Sequence, residues 1–139
     1  IYQRIQEKFE GHRVFIANIE KDVHCYADRL SFASVVYNLI ENAIKYSPEK
    51  ATISVELTGD EHNIYLNVAD TGMGVPDKEK EKIFNRFYRI GTEETRTTKG
   101  TGLGLFIVKH VVQHHDGTIH IVDNLPKGSI FKVSIPVGA

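Results

Sequence analysis

Hydrophobic and polar residues alternate along two segments in the middle of the chain. In each segment an apolar residue takes every second position: Ile53, Val55 and Leu57, then Ile64, Leu66 and Val68. A period of two is that of a β-strand with one buried face, and Gly59-Asp60 between the segments is a turn pair. Similar stretches predict further strands at residues 13–19, 22–26, 118–123 and 129–135.

A helical period replaces this alternation between Ser31 and Tyr46. The apolar residues there follow the i, i+3, i+4 spacing of one buried helix face: Phe32, Val35, Val36, Leu39, Ile40 and Ala43. Ser31 is a suitable N-cap for this helix, and Pro48 ends the pattern. We therefore predict a helix from Ser31 to Tyr46.

Two further helices follow the central strand pair. A short one is predicted over residues 77–87, and an amphipathic one runs from near Leu103 to just before Gly117. Strands and helices in this order predict an α+β fold, a two-layer α/β sandwich. Its sheet is expected to be mixed and mostly antiparallel, with about three helices packed on one face.

Composition narrows the class of protein. A length of 139 residues suits one domain, with 41% hydrophobic and 25% charged residues as in ordinary globular proteins. A net charge of -1 does not favour binding to nucleic acid or to a membrane surface, and the single Cys25 cannot form an internal disulfide. Because the chain begins at Ile1, we expect a piece of a longer protein, with residues 1–10 as a linker or helix end and residues 11–139 as the domain.

Three polar residues share one face of the first helix. Asn38, Asn42 and Lys45 lie at i, i+4 and i+7, beside the apolar face. Amide oxygens can bind Mg²⁺, and a lysine can neutralise phosphate. A solvated helix face would show the same stripe, so this pattern alone leaves both interpretations open.

A carboxylate ends the second central strand. Asp70 stays in phase with the apolar residues of that strand, so its side chain is expected on the buried side. A buried carboxylate needs hydrogen-bond donors, and the amino group of a purine is one. Gly72 and Gly74 would let a flat ring approach the backbone. The alternative is a plain turn after a strand.

A run of glycines opens the last helix, from Lys99 to Leu105. Free backbone N–H groups at a helix start suit phosphate oxygens. The run follows a polar loop rather than a strand, so it is not a dinucleotide fingerprint, and it lacks the ending of a P-loop. A flexible hinge is the alternative.

Two phenylalanines and two arginines lie between the Asp70 segment and the glycine run. Phe84 and Phe87 are three residues apart and are interpreted as core or lid anchors. Arg86 and Arg89 could reach a terminal phosphate, although a surface role is the simpler interpretation for either arginine alone.

The four segments together resemble the N, G1, F and G2 boxes of histidine kinases. They read NLIENAIKYS at 38–47, DTGMGV at 70–75, FNRFYR at 84–89 and GTGLGL at 100–105. The wider group is the Bergerat-fold ATP-binding superfamily, with gyrase, the MutL repair proteins and the Hsp90 chaperones. The resemblance extends from about residue 10 to residue 136.

The resemblance implies ATP and Mg²⁺ as ligands and assigns a role to each matched residue. Asn42 would be the Mg²⁺ ligand, with Asn38 beside it, and Asp70 would bind the adenine amino group. The residues implied in catalysis are Asn38, Asn42, Lys45 and Arg89. Those implied in nucleotide binding are Asn42, Lys45, Tyr46, Asp70, Gly72, Gly74, Phe84, Phe87, Lys99, Gly100, Thr101, Gly102, Leu103 and Gly104. Residues 85–101 would form a mobile ATP lid.

One position distinguishes a kinase from an ATPase within this superfamily. The ATP hydrolases generally carry a Glu where this chain has Asn38, and an amide cannot act as a general base. Glu41 points about 100° away from Asn42 on an ideal helix. Phosphotransfer is therefore favoured over an ATPase or clamp module, with a non-catalytic pseudokinase as a further alternative.

The phosphoacceptor histidine of such a kinase is expected on another domain. None of the seven histidines has the family's acceptor context, and a metal pair formed by His110 and His114 would lack a third ligand. The implied partners are a helical dimerisation domain and a response regulator, with no nucleic acid and no direct membrane contact. We expect a monomeric cytoplasmic domain from a homodimeric sensor kinase of the bacterial inner membrane.

Overall fold

Five strands form a single mixed sheet in the computed structural model, which describes residues 14–19, 29–47, 51–86, 88 and 103–137. The strands are β1 (Val14–Ile19), β2 (Ile53–Gly59), β3 (Asn63–Asp70), β4 (Thr118–Asp123) and β5 (Ser129–Pro136). Their spatial order is β1-β2-β3-β5-β4. The β1–β2 pair is parallel and the other three pairs are antiparallel. The predicted strand at 22–26 lies outside the described residues.

The predicted alternation along the central strands is confirmed. β3 alternates between half-buried and buried residues along its whole length, and β5 buries every second residue. Ile53 of β2 lies opposite Asp70 of β3, and Leu57 lies opposite Leu66. This register places the apolar residues of neighbouring strands on one face of the sheet.

Two α-helices lie in the described part of the chain: α1 (Arg29–Lys45) and α2 (Gly104–His114). α1 begins two residues before the predicted N-cap Ser31, which therefore lies inside its first turn. Leu30 is 75% exposed, so burial of Leu30 does not explain the extension. Arginine and leucine are strong helix formers, and this propensity favours the earlier start.

The predicted short helix over 77–87 is wrong in form. The segment consists of two single-turn 3₁₀ helices, Asp77–Glu79 and Lys82–Phe84, and Asn85 is extended. The segment buries only Ile83 and Phe84 against the core, and an ion pair joins it to β4. The Lys80 ammonium donates to the carboxylate of Asp77, three residues earlier in the chain. It also donates to the carboxylate of Asp123 at the end of β4, with 2.7 Å between Lys80 Nζ and Asp123 Oδ1.

The core lies between the sheet and the two helices. Its largest fully buried side chains come from both layers: Val35, Val36, Leu39, Ile40, Val55, Leu66, Val68, Val108, Val112, Phe131 and Val133. Phe84 joins them edge-to-face, with its ring centroid 6.2 Å from that of Phe131. Helices on one face of a mixed sheet confirm the predicted α+β fold class. In the part of the chain that the structure describes, no helix has the length and apolarity needed to cross a membrane.

Candidate functional site

Asp70 ends the central strand β3 with its side chain in the protein interior, as predicted. It is 7% exposed, and one carboxylate oxygen accepts the backbone N–H of Gly72 over 2.9 Å. Burial raises the pKa of Asp70, while the N–H groups of Gly72 and Ser129 oppose that rise. A buried acceptor of this kind is suited to a ligand that donates an N–H.

The loop between β4 and β5 holds the backbone of Asp70. Asn124 donates its side-chain amide to the Asp70 carbonyl over 2.7 Å. Gly128 approaches the same carbonyl so closely that a Cβ there would stand 1.9 Å from its oxygen, and its φ of +118° also favours glycine. Sequence reasoning missed both residues, because an Asn and a Gly near Pro126 are typical of any turn.

Gly72 lies where the end of α1 meets the end of β3. A Cβ at Gly72 would stand 2.6 Å from Ser47 Oγ and 3.0 Å from both Asp70 Oδ1 and the Tyr46 carbonyl oxygen. The Ser47 hydroxyl is buried and makes no hydrogen bond in the described part of the chain. At Gly74, whose φ is +74°, a Cβ would stand 3.3 Å from the Gly128 carbonyl oxygen. The structure thus brings together Tyr46, Asp70 and Gly72.

The polar stripe of α1 borders the start of α2. Asn38 and Asn42 are half-buried, and Lys45 is exposed at the last residue of α1. A Cβ at Gly104 would stand 3.2 Å from Asn38 Oδ1. Leu103, the N-cap residue of α2, makes no side-chain cap, and the first N–H groups of a helix can bind an anion.

Several predicted residues are placed elsewhere or not described. Phe84 packs in the core, where the Lys109 ammonium lies 5.7 Å from its ring centroid. Arg86 is exposed, with its guanidinium carbon 5.0 Å from the ring centroid of Phe106 on α2. The remaining predicted site residues lie outside the described residues: Phe87, Arg89, Lys99, Gly100, Thr101 and Gly102.

Ordinary protein metal ligands do not form a cluster in the described ranges. No group of three or more His, Cys, Asp or Glu residues there could hold a metal ion. His110 stacks on Phe106 with ring centroids 6.2 Å apart, and His114 contacts His115 edge-to-face. The carboxylate and imidazole groups of the described residues therefore do not form a metal site by themselves.

Comparison with known proteins identifies the family to which this arrangement belongs. Residues 27–139 match the family described as Histidine kinase-, DNA gyrase B-, and HSP90-like ATPase. The chain belongs to this ATPase family.

Two curated proteins are similar to this chain in sequence, and one solved structure is similar to it in fold. The chain is 39% identical to histidine kinase P4 of Formosa agariphila over 92% of its length, and 39% identical to sensor histidine kinase WalK of Bacillus subtilis over 98%. It spans 10% of the first protein and 23% of the second. The catalytic domain of histidine kinase ThkA has a similar structure, with a TM-score of 0.80 and 30% identity, covering 99% of this chain and 90% of that one.

Proposed function

We propose that the domain binds Mg·ATP and donates the γ-phosphate to a histidine on a separate dimerisation domain of a two-component sensor kinase. The observation that carries the proposal is Asp70, a carboxylate that is 7% exposed at the end of the central strand. A purine amino group would supply the donor that a buried carboxylate favours. The family and the named histidine kinases among its relatives support the same reaction.

Three parts of the structure would bind the nucleotide. Asp70 and Gly72 would receive the adenine, and the uncapped start of α2 at Gly104 would receive the phosphates. Lys45, exposed at the end of α1, would contribute a positive charge. We propose that Arg89 and the segment from Lys99 to Gly102 complete the phosphate site, and that Phe87 belongs to the nucleotide site as a lid anchor.

The residues present fit a magnesium ion bound together with the phosphates. Asn42 would hold it through its amide oxygen, with the remaining ligands from phosphate and water. Magnesium neutralises phosphate charge in such reactions. The protein's own contribution is then to hold the nucleotide so that an imidazole nitrogen can attack the γ-phosphorus while ADP leaves.

The chemistry of Asn38 supports phosphotransfer over hydrolysis. Its amide nitrogen donates to Ser34, and an amide cannot remove a proton from water. We propose that the whole protein is a homodimeric membrane sensor whose helical domain carries the acceptor histidine and passes phosphate to a response regulator. A lid at about 85–101 and a preceding linker at residues 1–10 belong to the same proposal.

Calorimetric titration with ADP and an unhydrolysable ATP analogue, with and without Mg²⁺, tests the binding step. We expect Asp70→Ala to abolish nucleotide binding and Asn42→Asp to remove its Mg²⁺ dependence. Asn67→Ala is the control, because Asn67 bonds to Glu56 on the half-buried face of the sheet. Binding by the wild type without phosphotransfer to a supplied dimerisation domain would support a pseudokinase, and rapid release of inorganic phosphate would support an ATPase.

A further inference from the structure

Hydrogen bonds to Ser34 determine which way the side-chain amide of Asn38 faces. Its Nδ2 donates to the Ser34 carbonyl over 2.8 Å and to Ser34 Oγ over 3.1 Å. A backbone carbonyl can only accept a hydrogen bond, so the amide nitrogen must face Ser34. The Asn38 amide oxygen therefore points away from Ser34.

That oxygen faces the first residue of α2. A Cβ at Gly104 would stand 3.2 Å from Asn38 Oδ1 and 3.9 Å from Asn38 Cγ. A helix start carries unpaired N–H groups and a partial positive charge, and Leu103 supplies no side-chain cap there. A carbonyl oxygen is the favourable neighbour for such a helix end.

The contact leaves little room for a larger residue at Gly104. Two hydrogen bonds to Ser34 hold Asn38 in place, so moving the amide aside by a few tenths of an ångström would strain them. A methyl group at Gly104 would press on the Asn38 oxygen. The distance between α1 and the start of α2 thus depends on a glycine on one helix and an oriented amide on the other.

We infer that Ser34 and Asn38 are positioning residues: Ser34 orients the Asn38 amide, and the Asn38 oxygen sets the start of α2 against α1. The inference rests on the proposed function, because Asn42, the proposed Mg²⁺ ligand, lies one turn after Asn38 on α1. The start of α2 carries the N–H groups proposed for phosphate. The Asn38–Gly104 contact therefore sets the separation between the metal ligand and the phosphate site.

A double-mutant cycle tests the contact itself. Gly104→Ala alone should lower the urea midpoint of unfolding. In an Asn38→Ala background the same change should raise the midpoint, because alanine favours a helix once the amide is gone. Gln113→Ala, an exposed substitution on α2, serves as the control and should behave identically in both backgrounds. Additive effects of Gly104→Ala and Asn38→Ala would overturn the inference.

A ligand comparison tests the positioning role. Adenosine would contact only the adenine pocket at Asp70, whereas Mg·ADP would also need the start of α2. We expect Gly104→Ala to weaken Mg·ADP binding about tenfold and to leave adenosine binding unchanged. Ser34→Ala should also weaken Mg·ADP binding, but by less than Gly104→Ala. Ser34→Thr should restore the Mg·ADP affinity. An equal loss of both ligands would indicate general damage and contradict the inference.

The two proposals fail in different ways. If wild-type protein binds neither adenosine nor Mg·ADP, the proposed function is wrong and the positioning role falls with it. If wild-type protein binds both and the Gly104→Ala variant keeps full Mg·ADP affinity, only the positioning role is wrong.

Discussion

The side-chain amide of Asn124 donates a hydrogen bond of 2.7 Å to the backbone carbonyl of Asp70. The two residues are 54 positions apart in the chain. The bond ties the β4–β5 loop to the end of the central strand, and so to the carboxylate proposed to bind adenine. The orientation of Asp70 therefore depends on a loop that carries none of the recognised boxes.

We predict that Asn124→Ala weakens ADP binding about fivefold and lowers the free energy of unfolding by about 1 kcal/mol. The Asp70 carbonyl would lose its donor, and the carboxylate would no longer be held in one position. Calorimetric titration and urea unfolding measure the two effects. Asn67→Ala is the matched control and should leave ADP affinity unchanged, since Asn67 bonds to Glu56. Equal loss of affinity in both variants would disprove the assignment.

Gly128→Ala should destabilise the domain by about 3 kcal/mol. The new Cβ would stand 1.9 Å from the Asp70 carbonyl oxygen, at a φ of +118° that alanine rarely adopts. Thermal unfolding measures the loss. Lys127→Ala changes an exposed neighbour in the same loop and should leave the unfolding temperature almost unchanged. A Gly128→Ala variant as stable as wild type would show that the loop can move away from Asp70.

The raised pKa of Asp70 predicts a dependence of stability on pH. Burial makes the Asp70 carboxyl group hold its proton more tightly in the folded state than in the unfolded state. Stability is therefore lost as pH rises from the ordinary aspartate pKa through the raised pKa of folded Asp70. We expect Asp70→Asn to be more stable than wild type at neutral pH, with the difference disappearing in acid. Urea unfolding at a series of pH values measures this difference.

Asp60 provides a control, because its expected effect on the pH dependence of stability is opposite to that of Asp70. The backbone N–H groups of Asn63 and His62 and the hydroxyl of Tyr65 lower its pKa. The contribution of Asp60 to stability is present above the ordinary aspartate pKa and is lost as pH falls through the lowered pKa of folded Asp60. Asp60→Asn should therefore be less stable than wild type at neutral pH, with the gap closing in acid. If both variants shift in the same direction, the pKa argument for Asp70 fails.

Phe84 is expected to matter for stability more than for nucleotide contact. Phe84 is 5% exposed, and its ring packs edge-to-face on that of Phe131. Phe84→Ala should cost about 3 to 5 kcal/mol, and the milder Phe84→Leu should remain folded with ADP affinity close to that of wild type. Thermal unfolding and titration of Phe84→Leu provide the test. A folded Phe84→Leu domain with strongly reduced affinity would place Phe84 in the nucleotide site instead.

The sequence predicted the regular elements well, since each has a local cause. The alternation around Leu66 and Val68 and the helical spacing around Leu39 and Ile40 correspond to the observed strands and helix. The failures occurred where tertiary contacts compete with local preference. The segment after Pro76 forms 3₁₀ turns while Lys80 pairs with Asp123, a partner that no local pattern reveals.

The sequence by itself determined the strand and helix periods, the buried position of Asp70 and the order of the four boxes. These follow from the spacing of neighbouring residues along the chain. Only the tertiary structure decided that Asn124 and Gly128 hold the Asp70 carbonyl and that Asn38 faces Gly104. Such contacts join residues far apart in the chain, and polar turn and helix residues look the same in sequence whether or not a distant partner meets them.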